Sequence, residues 1–175
     1  CSQRARNTSL HHCVMKIREA RLEDASAIAR VHINAWRETY QGIIPDSYLA
    51  QLSHAKRTKQ WEQTLVDQCV YVAVSGEEVV GFAQGGPSRT DAREGELYAI
   101  YVLRASQGLG LGKALFQRIA DDLAEYETMQ VSVLRDNPAC QFYERFGGQV
   151  IEESMIERGG VELVQRVYRM PVRMD

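Results

Sequence analysis

The sequence predicts a single-domain α/β protein built on one mixed, mostly antiparallel sheet of about seven strands, with helices on both faces. Three observations carry this. Residues 69–74 and 79–84 are β-branched and apolar runs joined by Gly76-Glu77-Glu78, a hairpin signature. Residues 150–156 and 161–170 form a closing hairpin around Gly159-Gly160. Between the hairpins, the apolar run 97–102 leads through a glycine-rich turn and an amphipathic helix to another strand at 129–134. That crossover returns the chain parallel to where it started.

Composition agrees. A chain of 175 residues with 45% hydrophobic and 25% charged residues fits one domain with a proper core. A net charge of −2 gives no electrostatic case for nucleic acid, and no apolar run reaches the length of a membrane span. Cys1, Cys13, Cys69 and Cys140 show no paired spacing, which suits a reducing cytoplasm. His11-His12-Cys13 are too close together to converge on one ion, so no metal is expected. Met15 reads as the start of the domain, 15–175, with residues 1–14 a poorly ordered extension lacking the apolar centre of a signal peptide.

In chain order, residues 15–20 alternate as a short first strand. Asp24 is placed to cap a helix carrying Ala25, Ile28, Ala29, Ile33 and Trp36 on one face. Gly42 and Pro45 break it, and Pro45-Asp46-Ser47 opens a second helical stretch through Tyr48, Leu49 and Leu52. A third, over 56–66, packs through Trp61 and Leu65. After the first hairpin, residues 85–91 form a loop, and Glu94-Gly95-Glu96 lead into the strand at 97–102. The turn that follows leads into a helix over 115–126, and Leu111, Leu115, Ile119 and Leu123 recur at helical spacing. Beyond the next strand, Asn137-Pro138 starts a short helix with Ala139, Phe142, Tyr143 and Phe146 on one face, stopped by Gly147-Gly148.

The turn Gln107-Gly108-Leu109-Gly110-Leu111-Gly112-Lys113-Ala114 is the chemical centre of this reading. A glycine turn between a strand and a helix start offers free N–H groups, with the positive end of the helix dipole behind them, to an anion such as a diphosphate. It is no Walker A loop, because Gln107 and Ala114 stand where glycine and serine or threonine are needed. It is no dinucleotide fingerprint either, since Lys113 or Leu115 falls where the third glycine belongs. The spacing that fits is Gln-x-x-Gly-x-Gly.

With that spacing the chain resembles the GNAT superfamily of acyl-CoA-dependent N-acetyltransferases, in which such a turn cradles the pyrophosphate of coenzyme A. The block from Asn137 to Gly148, with Phe142-Tyr143 inside it, is similar to a second family block. Trp36-Arg37-Glu38-Thr39-Tyr40-Gln41-Gly42-Ile43-Ile44-Pro45 resembles a segment that members carry ahead of the sheet. The resemblance implies a GNAT-like fold, acetyl-CoA as cosubstrate, and direct attack of a neutral amine on the thioester.

It also implies roles. Ile100, Tyr101 and Val102 would pair with the pantetheine arm, with Val102 facing the thioester oxygen. Gln107, Gly108, Leu109, Gly110, Leu111, Gly112, Lys113 and Ala114 would hold the diphosphate, with Arg104 a nearby cation. Asn137 would bond the pantetheine amides or cap its own helix. Tyr143 would donate a proton to the departing sulfur, its ordinary phenol pKa of about 10 being close to that of a thiolate. Strand alternation puts Glu96, Tyr98, Ile100 and Val102 on one face, so Glu96 projects toward the same side as Val102. Glu96 would serve as general base or as a charge selecting a cationic amine, with Glu94 an equally exposed neighbour. Trp36, Tyr40 and Tyr98 would line the acceptor pocket. Cys140 reads as a small buried hydrophobe, since no histidine lies near it in sequence.

The expected acceptor is a small-molecule amine, with the Glu94-x-Glu96 pair leaning toward a cationic one. A protein N-terminus or lysine and a silent acyl-CoA sensor are the alternative readings. The closing hairpin is the expected surface of a homodimer.

Overall fold

The computed structural model describes residues 14–173; the His11-His12-Cys13 motif and the rest of the expected extension before Val14 lie outside the described residues. Seven strands, β1 (Met15–Glu19), β2 (Tyr71–Ser75), β3 (Glu78–Pro87), β4 (Gly95–Val102), β5 (Thr128–Leu134), β6 (Gln149–Arg158) and β7 (Val161–Pro171), form one sheet in the order β1-β2-β3-β4-β5-β7-β6. Every neighbouring pair is antiparallel except β4 and β5. The helices are α1 (Ala25–Tyr40), α2 (Asp46–Ala50), α3 (His54–Asp67), α4 (Leu111–Asp122) and α5 (Ala139–Arg145). The expected α/β class and mixed sheet are what the chain forms.

Local chemistry sets these elements, with two departures from expectation. Asp24 stands at the start of α1, but its carboxylate makes no cap bond to the helix. It accepts instead from Arg18 at 2.7 and 3.0 Å and from the Arg21 N–H at 2.7 Å, which ties β1 to the helix entry. Helix α4 begins at Leu111, directly on the glycine turn, rather than at Leu115.

The apolar faces bury into two layers. Leu115, Phe116 and Ile119 of α4 and Tyr143 of α5 pack with Leu97, Val131 and Tyr168 on one side of the sheet. Ile28 and Val31 of α1 and Trp61 of α3 pack with Val72 and Phe82 on the other. Gly85 lets α4 sit close to β3, because a Cβ there would lie 2.5 Å from Ile119 Cγ2. The outer strand β6 exposes Val150, Ile151 and Met155.

One irregularity organises the site. The β3–β4 register runs Gln84↔Ala99 and then Gly85↔Leu97, so Tyr98 has no partner and forms a β-bulge. At the same point β4 parts from β5. Their pairing covers only Gly95↔Met129, Glu96↔Gln130 and Leu97↔Val131. Past it, β5 stays with β7 up to Leu134↔Gln165 while β4 stays with β3 up to Val102↔Gly81. The sheet therefore opens as a wedge between the carboxyl ends of its two parallel strands.

Candidate active site

The wedge exposes backbone. The Leu103 N–H donates to the Val80 carbonyl at 2.9 Å. Main-chain polar groups alternate sides along a strand, so those of Tyr101 also face β3, and those of Ile100 and Val102 face the gap left by β5. Their N–H groups have no main-chain partner there among the described residues. The Val102 carbonyl accepts from Gln107 Nε2 at 3.0 Å, which ties the strand end to the turn. Tyr101 thus enters the site through its side chain alone.

The turn continues this row of donors. Gly108 and Gly110 have φ of +82° and +80°, in the left-handed region where an L side chain is strained, and a Cβ on either would meet open space. The requirement for glycine is conformational. The Gln107 N–H is held by the Arg104 carbonyl at 3.1 Å and the Ala114 N–H by the Gly110 carbonyl at 3.0 Å. Between them, the N–H groups of Gly108, Leu109, Gly110, Leu111, Gly112 and Lys113 take no acceptor among the described residues. Six consecutive donors at a helix start form an anion cradle. Ala114 is not among them, and the Leu111 side chain is buried in the core. Lys113 is exposed beside the cradle, whereas Arg104 turns away, its N–H on the Glu38 carboxylate at 3.2 Å and its guanidinium on the Glu38 carbonyl.

An aromatic cluster closes the other end. Trp36 Nε1 donates to Tyr101 Oη at 3.0 Å, and the Trp36 and Tyr40 rings lie 4.8 Å apart. Asn137 holds the start of α5, one of the two roles expected of it. Its Oδ1 accepts from the Ala139 N–H at 2.9 Å, and its Nδ2 donates to Tyr40 Oη at 3.0 Å, leaving one N–H of the amide. Burial pushes the Tyr143 phenol well above its ordinary range, and Tyr101, Cys140 and Tyr40 push the same way. The expected match between this phenol and a thiolate is therefore corrected. Tyr143 holds its proton firmly, which leaves its hydroxyl available as a hydrogen-bond donor. Cys140 is buried, its Sγ against the carbonyls of Leu134 and Arg135.

The carboxylates depart furthest from expectation. The bulge at Tyr98 shifts the alternation by one, so Leu97 shares the α4 face with Ile100 and Val102, and Glu96 lies on the opposite face. Glu96 accepts from Arg89 through its N–H at 3.0 Å, Nε at 3.2 Å and Nη2 at 2.6 Å, and the Arg89 guanidinium lies 4.6 Å from the Tyr98 ring centroid. Tyr98 Oη donates to the Pro87 carbonyl at 2.5 Å. Glu94 is buried rather than exposed. It binds Arg169 at 2.5 and 3.0 Å, Thr128 at 2.8 Å and Gln130, bridging β4, β5 and β7. Those donors, Arg169 first, hold its carboxyl below the usual range. Both acids that suggested a cationic acceptor are already neutralised by arginines.

Sequence reasoning missed Arg89, which lies in a loop with nothing to mark its partner, and the packing of His32 on Tyr101, with centroids 5.3 Å apart. The apolar face of α1 was the only signal for the latter.

Residues 33–148 match the profile of the Acetyltransferase (GNAT) family. The chain is 37% identical over 155 residues to an uncharacterized N-acetyltransferase, YuaI, of Bacillus subtilis, covering 86% of this chain and 89% of that one. In fold it is similar to an N-acetyltransferase from Staphylococcus aureus Mu50, with a TM-score of 0.73, 20% identity and coverage of 91% and 99%. It is also similar to yncA from Salmonella typhimurium, solved with its cofactor acetyl-CoA, at a TM-score of 0.71, 22% identity and coverage of 93% and 96%. The chain belongs to the GNAT acetyltransferase family and is an acyltransferase.

Proposed function

We propose, on the premise of that membership, that the protein moves an acetyl group from acetyl-CoA to a primary amine by direct attack. The observation that carries this is the continuity of the wedge with the turn: free strand N–H groups lead into six free N–H groups at a helix start. Such a track fits a ligand with an amide-bearing arm at one end and a diphosphate at the other, which is the chemistry of coenzyme A.

In this reading the backbone from Gly108 to Lys113 holds the diphosphate, Ile100 and Asn137 bond the arm, and the Val102 N–H faces the thioester oxygen, stabilising the charge that develops there. The amine enters past Trp36 and Tyr40 with its lone pair free. As nitrogen bonds the acyl carbon and the carbon–sulfur bond breaks, the Tyr143 hydroxyl donates its hydrogen bond to the leaving sulfur. Glu96 is paired, so it receives the amine's proton through water only once Arg89 swings aside; the Arg89 side chain is 67% exposed, so the swing uncovers little. No described helix is long and apolar enough to cross a membrane.

Titration calorimetry with coenzyme A tests the reading. Micromolar binding is expected, and Gly110→Ala should weaken it by about ten-fold, because an alanine at this φ is strained by roughly 1–2 kcal/mol. No heat of binding at micromolar concentrations would remove it.

A further inference from the structure

Beside the carboxyl end of β4, an open hollow of about 510 Å³ is lined by Arg37 and Glu38 of α1, Gln41 just past its end, Asp46 and Leu49 of α2, and Arg104. Its two guanidinium groups are held in an unusual way. Arg37 Nε donates to the Leu49 carbonyl at 3.1 Å, and Arg104 Nη2 donates to the Glu38 carbonyl. Neither arginine forms an ion pair among the described residues, although two carboxylates line the same hollow. The Glu38 carboxylate is occupied by the Arg104 main-chain N–H at 3.2 Å. Each guanidinium is therefore oriented by a main-chain carbonyl rather than held in a close ion pair, with Glu38 and Asp46 balancing the charge of the hollow at longer range. Both Nη groups of Arg37 remain as donors, in the planar fork that matches a carboxylate.

The position ties the hollow to the transfer site. Arg104 follows Val102 by two residues. Arg37 stands one helical turn from Tyr40, whose hydroxyl meets Asn137 at the mouth of the wedge. A group bound by Arg37 would lie one helical turn from the Trp36–Tyr40 cluster, which is the proposed entry of the amine.

We infer that the acceptor carries a carboxylate near its amine, as a free amino acid does, and that Arg37 reads that carboxylate, with Arg104 adding charge. The inference rests on the acetyl-CoA reading above. It replaces the cationic acceptor suggested by Glu94 and Glu96, since the charges of those two acids are already paired with Arg169 and Arg89.

The experiment compares matched acceptors in a thiol-release assay with acetyl-CoA: each common amino acid with a stable decarboxylated counterpart, such as phenylalanine with phenethylamine and ornithine with putrescine. The expected result is a kcat/KM about ten-fold or more higher for the carboxylate-bearing member of at least one pair, the scale of one charge-assisted hydrogen bond. Arg37→Gln should shrink that ratio to less than about three-fold through KM rather than kcat, and Arg37→Lys, which keeps the charge without the fork, should restore part of it. Coenzyme A binding by calorimetry is measured on every variant, which also reports folding. The inference is overturned if the protein binds coenzyme A but turns over no amino acid, if it prefers the carboxylate-free member throughout, or if the ratio survives Arg37→Gln. Failure to bind coenzyme A would instead sink the acetyl-CoA reading itself.

Discussion

The two halves of β4 on either side of Tyr98 share a strand and almost nothing else. Before the bulge, Gly95, Glu96 and Leu97 are paired on both sides and buried, and the flanking acids are closed in ion pairs with Arg169 and Arg89. After it, Ile100 and Val102 are paired on one side only and are half-buried. The first half is closed framework, and the second is an open edge, which the proposed reading gives to the ligand. An enzyme that needs a strand end open to a ligand without an aggregation-prone edge along the whole strand can obtain it this way, with one unpaired residue and a divergence that starts at that residue.

Substitutions on the two sides should therefore fail in different measurements. The largest effect is expected downstream. Tyr143→Phe should lower kcat about a hundred-fold in a thiol-release assay, because a donor to the leaving group is lost, while coenzyme A affinity by calorimetry stays within about two-fold. A kcat unchanged by this substitution would remove Tyr143 from the chemistry and leave it a core residue beside Phe142 and Tyr168.

Upstream, Glu94→Ala should destabilise the fold by about 2–3 kcal/mol in urea unfolding, because it leaves Arg169, Thr128 and Gln130 without their acceptor. Arg169 keeps 42% of its side chain in water, which holds the cost below that of a fully buried pair. At conditions where the variant is folded, KM for acetyl-CoA should not move. A change in KM there would show that the framework half reaches the ligand, and would break the comparison.

The smallest effect is a pH dependence at His32, which supports the binding half from behind by stacking on Tyr101. Burial, with a smaller push from Arg57, lowers its pKa to about 4. The unfolded chain takes up that proton near pH 6.5 while the folded one does not, so stability falls as pH drops from about 6.5 toward 4. The loss between pH 7.5 and pH 5 should be about 2 kcal/mol, and His32→Phe should abolish that part of it in paired urea titrations. An unchanged pH slope in His32→Phe would mean that the imidazole titrates as if in water.

Much of the binding half was legible in the residues. The glycine turn declares itself because positions that need left-handed backbone accept little else, and Asn137-Pro138 marks a helix start by the same local logic. The hairpins and the parallel crossover follow from apolar runs and turn residues. The framework half was not legible, for physical reasons. A bulge has no residue-type signature, since Tyr98 is an ordinary strand former, and a count in steps of two carries every side chain after it to the wrong face. Ion pairs such as Glu94 with Arg169 or Arg89 with Glu96 depend on which loop or strand is brought alongside, and a charge in sequence does not name its partner. Asp24 failed in a related way. It had the right type and position for a cap, but Arg18 and the Arg21 N–H were better placed to take its oxygens.

The bond from Gln107 Nε2 to the Val102 carbonyl gives the molecule a gauge. It closes a short loop of chain and fixes the distance between the anion cradle and the last free strand N–H. If the diphosphate sits on the cradle as proposed, that spacing makes the length of the donor's arm, ahead of the acyl group it carries, the quantity that decides whether its carbonyl meets that N–H.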